Sequence, residues 1–131
     1  MATEFKIKDI LQTMYNAMKE VSGNVFTTNR PKIVDEAMED FIVVSLPVTL
    51  YNKTYGKGYG MTTSYARIEI YVKDRNGLED IAKLDRLTDS AIDKFPISNS
   101  FMILSRPRVL MSGEDGYGFH AVTIQASLLT K

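Results

Sequence analysis

The side chains with chemical promise are few and scattered. Gly56-Lys57-Gly58-Tyr59-Gly60 has the glycine density of a phosphate-cradling loop. A Walker loop, however, needs a glycine five residues before its Gly-Lys pair and Ser or Thr after the lysine. Tyr51 and Gly58 stand at those places. A dinucleotide fingerprint follows a strand and opens a helix, whereas here a strand pattern follows. The stretch reads instead as the tip of a hairpin, or as a loop that orders on a partner. His120 is the only histidine and there is no cysteine. A catalytic triad or a zinc site would need a nucleophile or further ligands beside it. Its position on the apolar register of the last strand suits a structural histidine.

The carboxylates give no better lead. Asp80, Asp85, Asp89 and Asp93, with Lys83, Arg86 and Lys94, read as the solvated face of a helix. Asp85 and Asp89, four apart, are like-charge neighbours. No acid sits in an apolar setting that would raise its pKa for acid–base work. The seven methionines suit core positions. The expectation is a protein that is not an enzyme, with no catalytic, metal-binding or cofactor-binding residue.

The elements that would carry such side chains are clearer. Tyr65 to Val72 alternates strictly, with Ala66, Ile68, Ile70 and Val72 on one face and Tyr65, Arg67, Glu69 and Tyr71 on the other, the pattern of a half-buried strand. Asp74-Arg75-Asn76-Gly77 supplies turn chemistry. From Leu78 the period becomes helical, with Leu78, Ile81, Leu84, Leu87, Ala91, Ile92 and Phe95 on one side and Asn76 with Glu79 spaced as a capping box. Pro96 closes that helix. An earlier helix spans about Thr3 to Val21, with Gly23 placed for a left-handed C-terminal residue.

Between the helices, Val25 to Thr28 suggests a short strand, and Phe41 to Leu46 a strand covered on both faces. Pro47 marks an edge or a bulge, and Val48 to Tyr51 resumes the strand. Lys32 to Asp40 reads either as one helical turn or as a loop feeding a strand. Asn52 to Ser64 is a long hairpin tip. After Pro96 come a loop at 97–100, a strand over 101–110 interrupted at Pro107, a turn around Gly113-Glu114-Asp115-Gly116, and a last strand from Phe119 to Leu129. The implied fold class is α+β: a mostly antiparallel sheet of four to five strands, two amphipathic helices on one face and a long projecting β-hairpin. Residues 1–131 read as a single domain.

With 131 residues, 44% of them hydrophobic, and sixteen basic against sixteen acidic side chains, nothing drives the chain toward nucleic acid or an anionic membrane. Glu4, Lys6, Lys8 and Asp9 fall where a signal peptide would be apolar, and no run approaches the roughly 20 apolar residues of a membrane span. Asn52-Lys53-Thr54 matches a glycosylation acceptor by chance. Charge is uneven all the same: 52–67 carries Lys53, Lys57 and Arg67 and no acid, while 35–40 carries Asp35, Glu36, Glu39 and Asp40 and no base. Such patches suit either ordinary surface scatter or a head-to-tail contact between copies.

The strand and turn Arg67-Ile68-Glu69-Ile70-Tyr71-Val72-Lys73-Asp74-Arg75-Asn76-Gly77, the helix to Phe95, the strand from Phe101 to Leu110, the turn Gly113-Glu114-Asp115-Gly116-Tyr117-Gly118 and the strand from Phe119 to Leu129 resemble the tail-terminator and tail-completion (head–tail joining) proteins of long-tailed bacteriophages. The resemblance covers most of the chain as a pattern of elements, and Lys32 to Asp40 departs from it. It implies a hexameric ring at the head-proximal end of the tail tube that stops polymerisation and joins tail to head. It also implies no catalytic residues and no cofactor. The implied partners are further copies of the chain, the tail-tube protein and the head connector, in the virion tail or, during assembly, in the host cytoplasm. Tyr51, Lys53, Tyr55, Lys57, Tyr59 and Arg67 are the expected interface residues, since Tyr and Arg dominate interface hot spots. Two alternatives come from other classes. One is a small ligand-binding domain using a cleft between helices and sheet. The other is a single-strand nucleic-acid binder stacking bases on the Tyr-bearing hairpin.

Overall fold

A computed structural model describes residues 7–31, 34, 37–46 and 62–130. In chain order the elements are α1 (Ile7–Met18), β1 (Val25–Thr27), β2 (Asp40–Ser45), β3 (Thr62–Lys73), α2 (Ile81–Ile92), β4 (Ile97–Ser98), β5 (Met102–Glu114) and β6 (Phe119–Thr130). The strands form one sheet in the order β1-β2-β3-β6-β5-β4.

This corrects the expected fold class. There are six strands among the described residues, not four to five, and the sheet is mixed, because β1 runs parallel to β2. The reason is the stretch 28–39. A parallel neighbour needs a crossover of about a dozen residues, and this stretch is long enough to return the chain to the end where β1 began. On the way it lays Val34 and Met38 against the sheet. The long strands also curl the sheet into a half-barrel, as accumulated twist and the irregularities in β5 require.

The alternation of β3 splits the core in two. Ala66, Ile68, Ile70 and Val72 join Ile42, Val44, Val122, Ile124, Ala126 and Leu128 under the helices, where Ile10, Met14 and Met18 of α1 and Leu84, Leu87 and Ala91 of α2 meet them. The opposite face is not uniformly polar. At one end Phe41, Val43, Tyr71, Phe119 and Ala121 form a second, smaller core, packed by Phe26, Val34 and Met38. The expectation that β2 is covered on both faces is met by Phe41, Ile42, Val43 and Val44, all fully buried.

Helix boundaries differ from the sequence reading for local reasons. Asn76 and Gly77 both take positive φ (54° and 76°), and Arg75 and Leu78 exchange backbone bonds of 2.7 and 3.0 Å, the arrangement of a type I′ turn. That turn consumes Asn76, so no capping box forms there. Leu78 and Ile81 are exposed rather than core. The N-cap is Asp80, whose carboxylate accepts the Lys83 backbone N–H at 3.2 Å. Asp80→Ala is expected to cost about 1 kcal/mol, read as a lower urea midpoint with an unchanged slope. At the other helix, α1 ends at Met18, and Gly23 does not take positive φ. Beyond α2, Ile97 and Ser98 pair with Leu104 and Ile103 as β4 instead of forming a loop, and β5 runs through Pro107 with a bulge rather than stopping there.

Candidate interaction surface

The second core is tied down by an ion pair that the sequence hides. Arg30, on the crossover, forms a salt bridge with Asp115, in the turn between β5 and β6. The guanidinium carbon lies 5.4 Å from the Phe41 ring centre, 5.3 Å from Tyr71 and 4.8 Å from Tyr117. A planar, weakly hydrated cation suits such a box of ring faces. Phe41 stacks on Tyr71 at 4.5 Å and meets Phe119 edge-on at 5.3 Å and Phe26 at 5.9 Å. The Asp115 side chain is only 8% exposed, and its Oδ1 also accepts the backbone N–H groups of Tyr117 (2.7 Å) and Phe119 (3.2 Å). So one acid is buried beside the aromatic cluster, and a cation answers it. Tyr71 donates its hydroxyl to Glu69 Oε2 at 3.3 Å. Burial, reinforced by the Glu69 carboxylate, pushes its pKa up to about 12.

Beyond this box the same face carries exposed side chains, although Ser45 and Thr123 on it are buried. One row across four strands reads Ser45, Arg67, Gln125, Arg108. Arg67 and Arg108 are exposed and flank Gln125 at two strand spacings, about 10 Å. Tyr65 and Leu110, on adjacent rows of that face, are exposed too. Of the expected interface residues, Arg67 therefore sits among the exposed side chains of that face. Tyr51, Lys53, Tyr55, Lys57 and Tyr59 lie outside the described residues. The acidic segment is partly used internally. Asp40 pairs with Lys83 Nζ at 2.8 Å and accepts the Ser22 hydroxyl at 2.5 Å; Asp35 and Glu36 lie outside the described residues. Arg30, Asp115, Arg108 and Leu110 were not singled out by sequence reasoning.

Nothing in sequence identifies a family. No family model matches the chain, and no curated protein does. Solved structures do match. One protein without a functional name shares 11% identity over 93% of this chain and 90% of its own, with a TM-score of 0.60; that likeness establishes the fold alone. Another is the PVC sheath/tube terminator of an extracellular contractile injection system in its extended state, at 5% identity, over 98% of this chain and 58% of its own, with a TM-score of 0.45. At that score the second likeness carries no argument about this chain.

Two further features lie at the start of α2. An open cleft of about 350 Å³ is lined almost wholly by charged side chains, from Glu39, Lys73 and Asp74 to Lys83 and Arg86, with Ala82 the one apolar residue. Beside it, His120 Nδ1 lies 2.6 Å from Asp74 Oδ1, and Nε2 lies 3.5 Å from Glu79 Oε2. The hydrogen bond to Asp74 raises the His120 pKa above its ordinary value, burial works against it, and the charges of Asp74, Glu79 and Glu114 add to the rise. A raised folded-state pKa means that the imidazolium stabilises the native state. That contribution is complete below about pH 6.5, the unfolded value, and disappears as pH climbs through the folded one. The advantage of the native protein over His120→Gln, measured as the difference in urea midpoints, should therefore be full below about pH 6.5 and shrink as pH rises above it. A difference that widens with pH would contradict this assignment.

Among the described residues no group of three or more His, Asp or Glu side chains is placed to hold a metal ion, and no helix is long and apolar enough to cross a membrane.

Proposed function

We propose that this chain is a structural protein of a phage or prophage tail that forms a ring at the head-proximal end of the tail tube, ends tube polymerisation and joins tail to head. In this reading it is not an enzyme. It binds further copies of itself, the tail-tube protein and the head connector, and works in the virion tail after assembly in the host cytoplasm. The observation that supports it is the group of exposed side chains on the outer face of the sheet, with Arg67 and Arg108 level on one row and Tyr65 and Leu110 beside them. Exposed arginine and aromatic side chains on a rigid sheet make a strong docking surface. The order of strands and helices also agrees with the resemblance read in the sequence.

The small-ligand alternative needs space between helices and sheet. Ile10, Met14, Met18, Ile42, Ile68 and Ala91, all fully buried, fill it.

The test is native mass spectrometry and negative-stain microscopy of the full chain, alone and with purified tail tubes. The native protein should give rings or capped tubes, and the double variant Arg67→Glu with Arg108→Glu should lose them. A protein that stays monomeric at high concentration and leaves tube length unchanged would overturn the reading.

A further inference from the structure

Strand β5 has an outer edge that is largely unpaired among the described residues. β6 lines one side, but on the other β4 covers only Ile103 and Leu104. From Ser105 to Glu114 the outer edge meets no strand among the described residues. Natural sheets guard such edges with charge, brevity or a covering element. Here three consecutive apolar residues occupy the edge: Val109, Leu110 and Met111 are 48%, 42% and 69% exposed. Arg106 and Glu114 bracket them, and neither makes a salt bridge among the described residues.

We propose that this edge docks a second copy of the chain, β5 against β5, antiparallel about a twofold axis at Leu110. The sequence along the edge is self-complementary in that register. Leu110 faces Leu110 of the second copy, Val109 faces Met111, and Arg106 faces Glu114, with every pair made twice by symmetry. Other registers lose one element of the match. An axis at Val109 removes the Arg106–Glu114 pair. An axis at Met111 puts Val109 and Leu110 opposite Gly113 and Ser112 and breaks the apolar alignment.

The backbone agrees with the same register. β5 departs from regular pairing twice, between Ser105 and Arg108 and between Met111 and Gly113. With the axis at Leu110, Pro107 stands opposite Gly113, so the irregularity at one end of each strand meets the irregularity at the other end of its partner. The straight segment between them is the part that pairs. Arg106 itself has φ 53°, a left-handed conformation in which glycine would be relaxed and arginine is strained. A charged side chain at that position, at the end of an open edge, agrees with a use for the charge.

Leu110 borders both surfaces, but the two contacts are told apart by symmetry, because a twofold interface joins two copies and is then complete, and by Arg106 and Glu114, which take no part in the ring surface. The chain has no native cysteine, which gives a clean test. On mild oxidation the full chain carrying Leu110→Cys should convert mostly to a covalent dimer, since antiparallel partners lie within disulfide reach. Asp89→Cys, on the exposed side of α2, should not. Sedimentation of the unoxidised chain should show a dimer weakened at least tenfold by Arg106→Glu or by Glu114→Arg and restored by the two together. Circular dichroism checks that each variant folds. If Leu110→Cys fails to fold, the charge exchange carries the test, because both of its residues are exposed. Cross-linking of Leu110→Cys no faster than that of Asp89→Cys would overturn the proposal. So would a sedimentation mass indifferent to the single reversals, or single reversals that the double does not rescue.

Discussion

Phe41→Ala is expected to lower the free energy of unfolding by about 4 kcal/mol, seen as a fall in the urea midpoint. Phe41 is fully buried on the outer side of β2 and is the hub of the second core. Tyr71 stacks on it, Phe119 and Phe26 meet it edge-on, and the Arg30 guanidinium lies over its face. Truncation removes the transfer energy of the ring and leaves a cavity whose walls are held apart by two neighbouring strands, so collapse is limited. Phe41→Leu keeps much of the volume and should cost about half as much. Equal costs for the two would mean that ring packing is not what matters at this site. The loss should also release the crossover, since its Val34 and Met38 pack on the same cluster.

Arg30→Met should cost about 3 kcal/mol, the usual scale for breaking a buried ion pair from one side. The methionine replaces the stem, but Asp115 is then left with its charge among aromatic rings. Two backbone N–H groups still reach its Oδ1, which keeps the loss at the lower end of the range. Asp115→Asn should cost less, about 1–2 kcal/mol, because its amide oxygen can still accept those two bonds. Double-mutant analysis gives the coupling directly: Arg30→Met with Asp115→Asn should be less destabilised than the sum of the singles by at least 1 kcal/mol. Simple additivity would show that the cation stabilises the box through its rings alone.

The parts of this fold that were legible in sequence are those governed by neighbours in the chain. The alternation of Ala66 to Val72 identified a half-buried strand and its inward face. The Asn76-Gly77 pair marked a turn, and Leu84, Leu87 and Ala91 marked the buried face of α2. Parallel pairing of β1 with β2 was not legible, because it depends on where the stretch 28–39 travels. Nor was the Arg30 box. Its cation and its carboxylate are separated by 85 positions, and Asp115 reads locally as one more acid in a glycine-rich turn. The polar face of β3 illustrates both limits. Arg67 is open as expected, whereas Tyr71, four residues on, is buried beneath the crossover. Of the six expected interface residues, Tyr51, Lys53, Tyr55, Lys57 and Tyr59 lie outside the described residues.

The placing of β6 has a consequence for how the molecule is made. It is the last strand in chain order and lies in the middle of the sheet, between β3 and β5. When everything up to Gly118 has left the ribosome, the strands available are β1-β2-β3 and β4-β5, and among the described residues nothing pairs the first set with the second without β6. Phe119 to Thr130 must then enter like a zip, matching β3 from Lys73 back to Thr62 and β5 across a short turn. Such long-range pairing is slow to form, and until it forms the β3 edge bearing Ile68 and Ile70 is a sticky template for other nascent chains. Expression yield should therefore depend more on the speed with which β6 docks than on the strength of either helix.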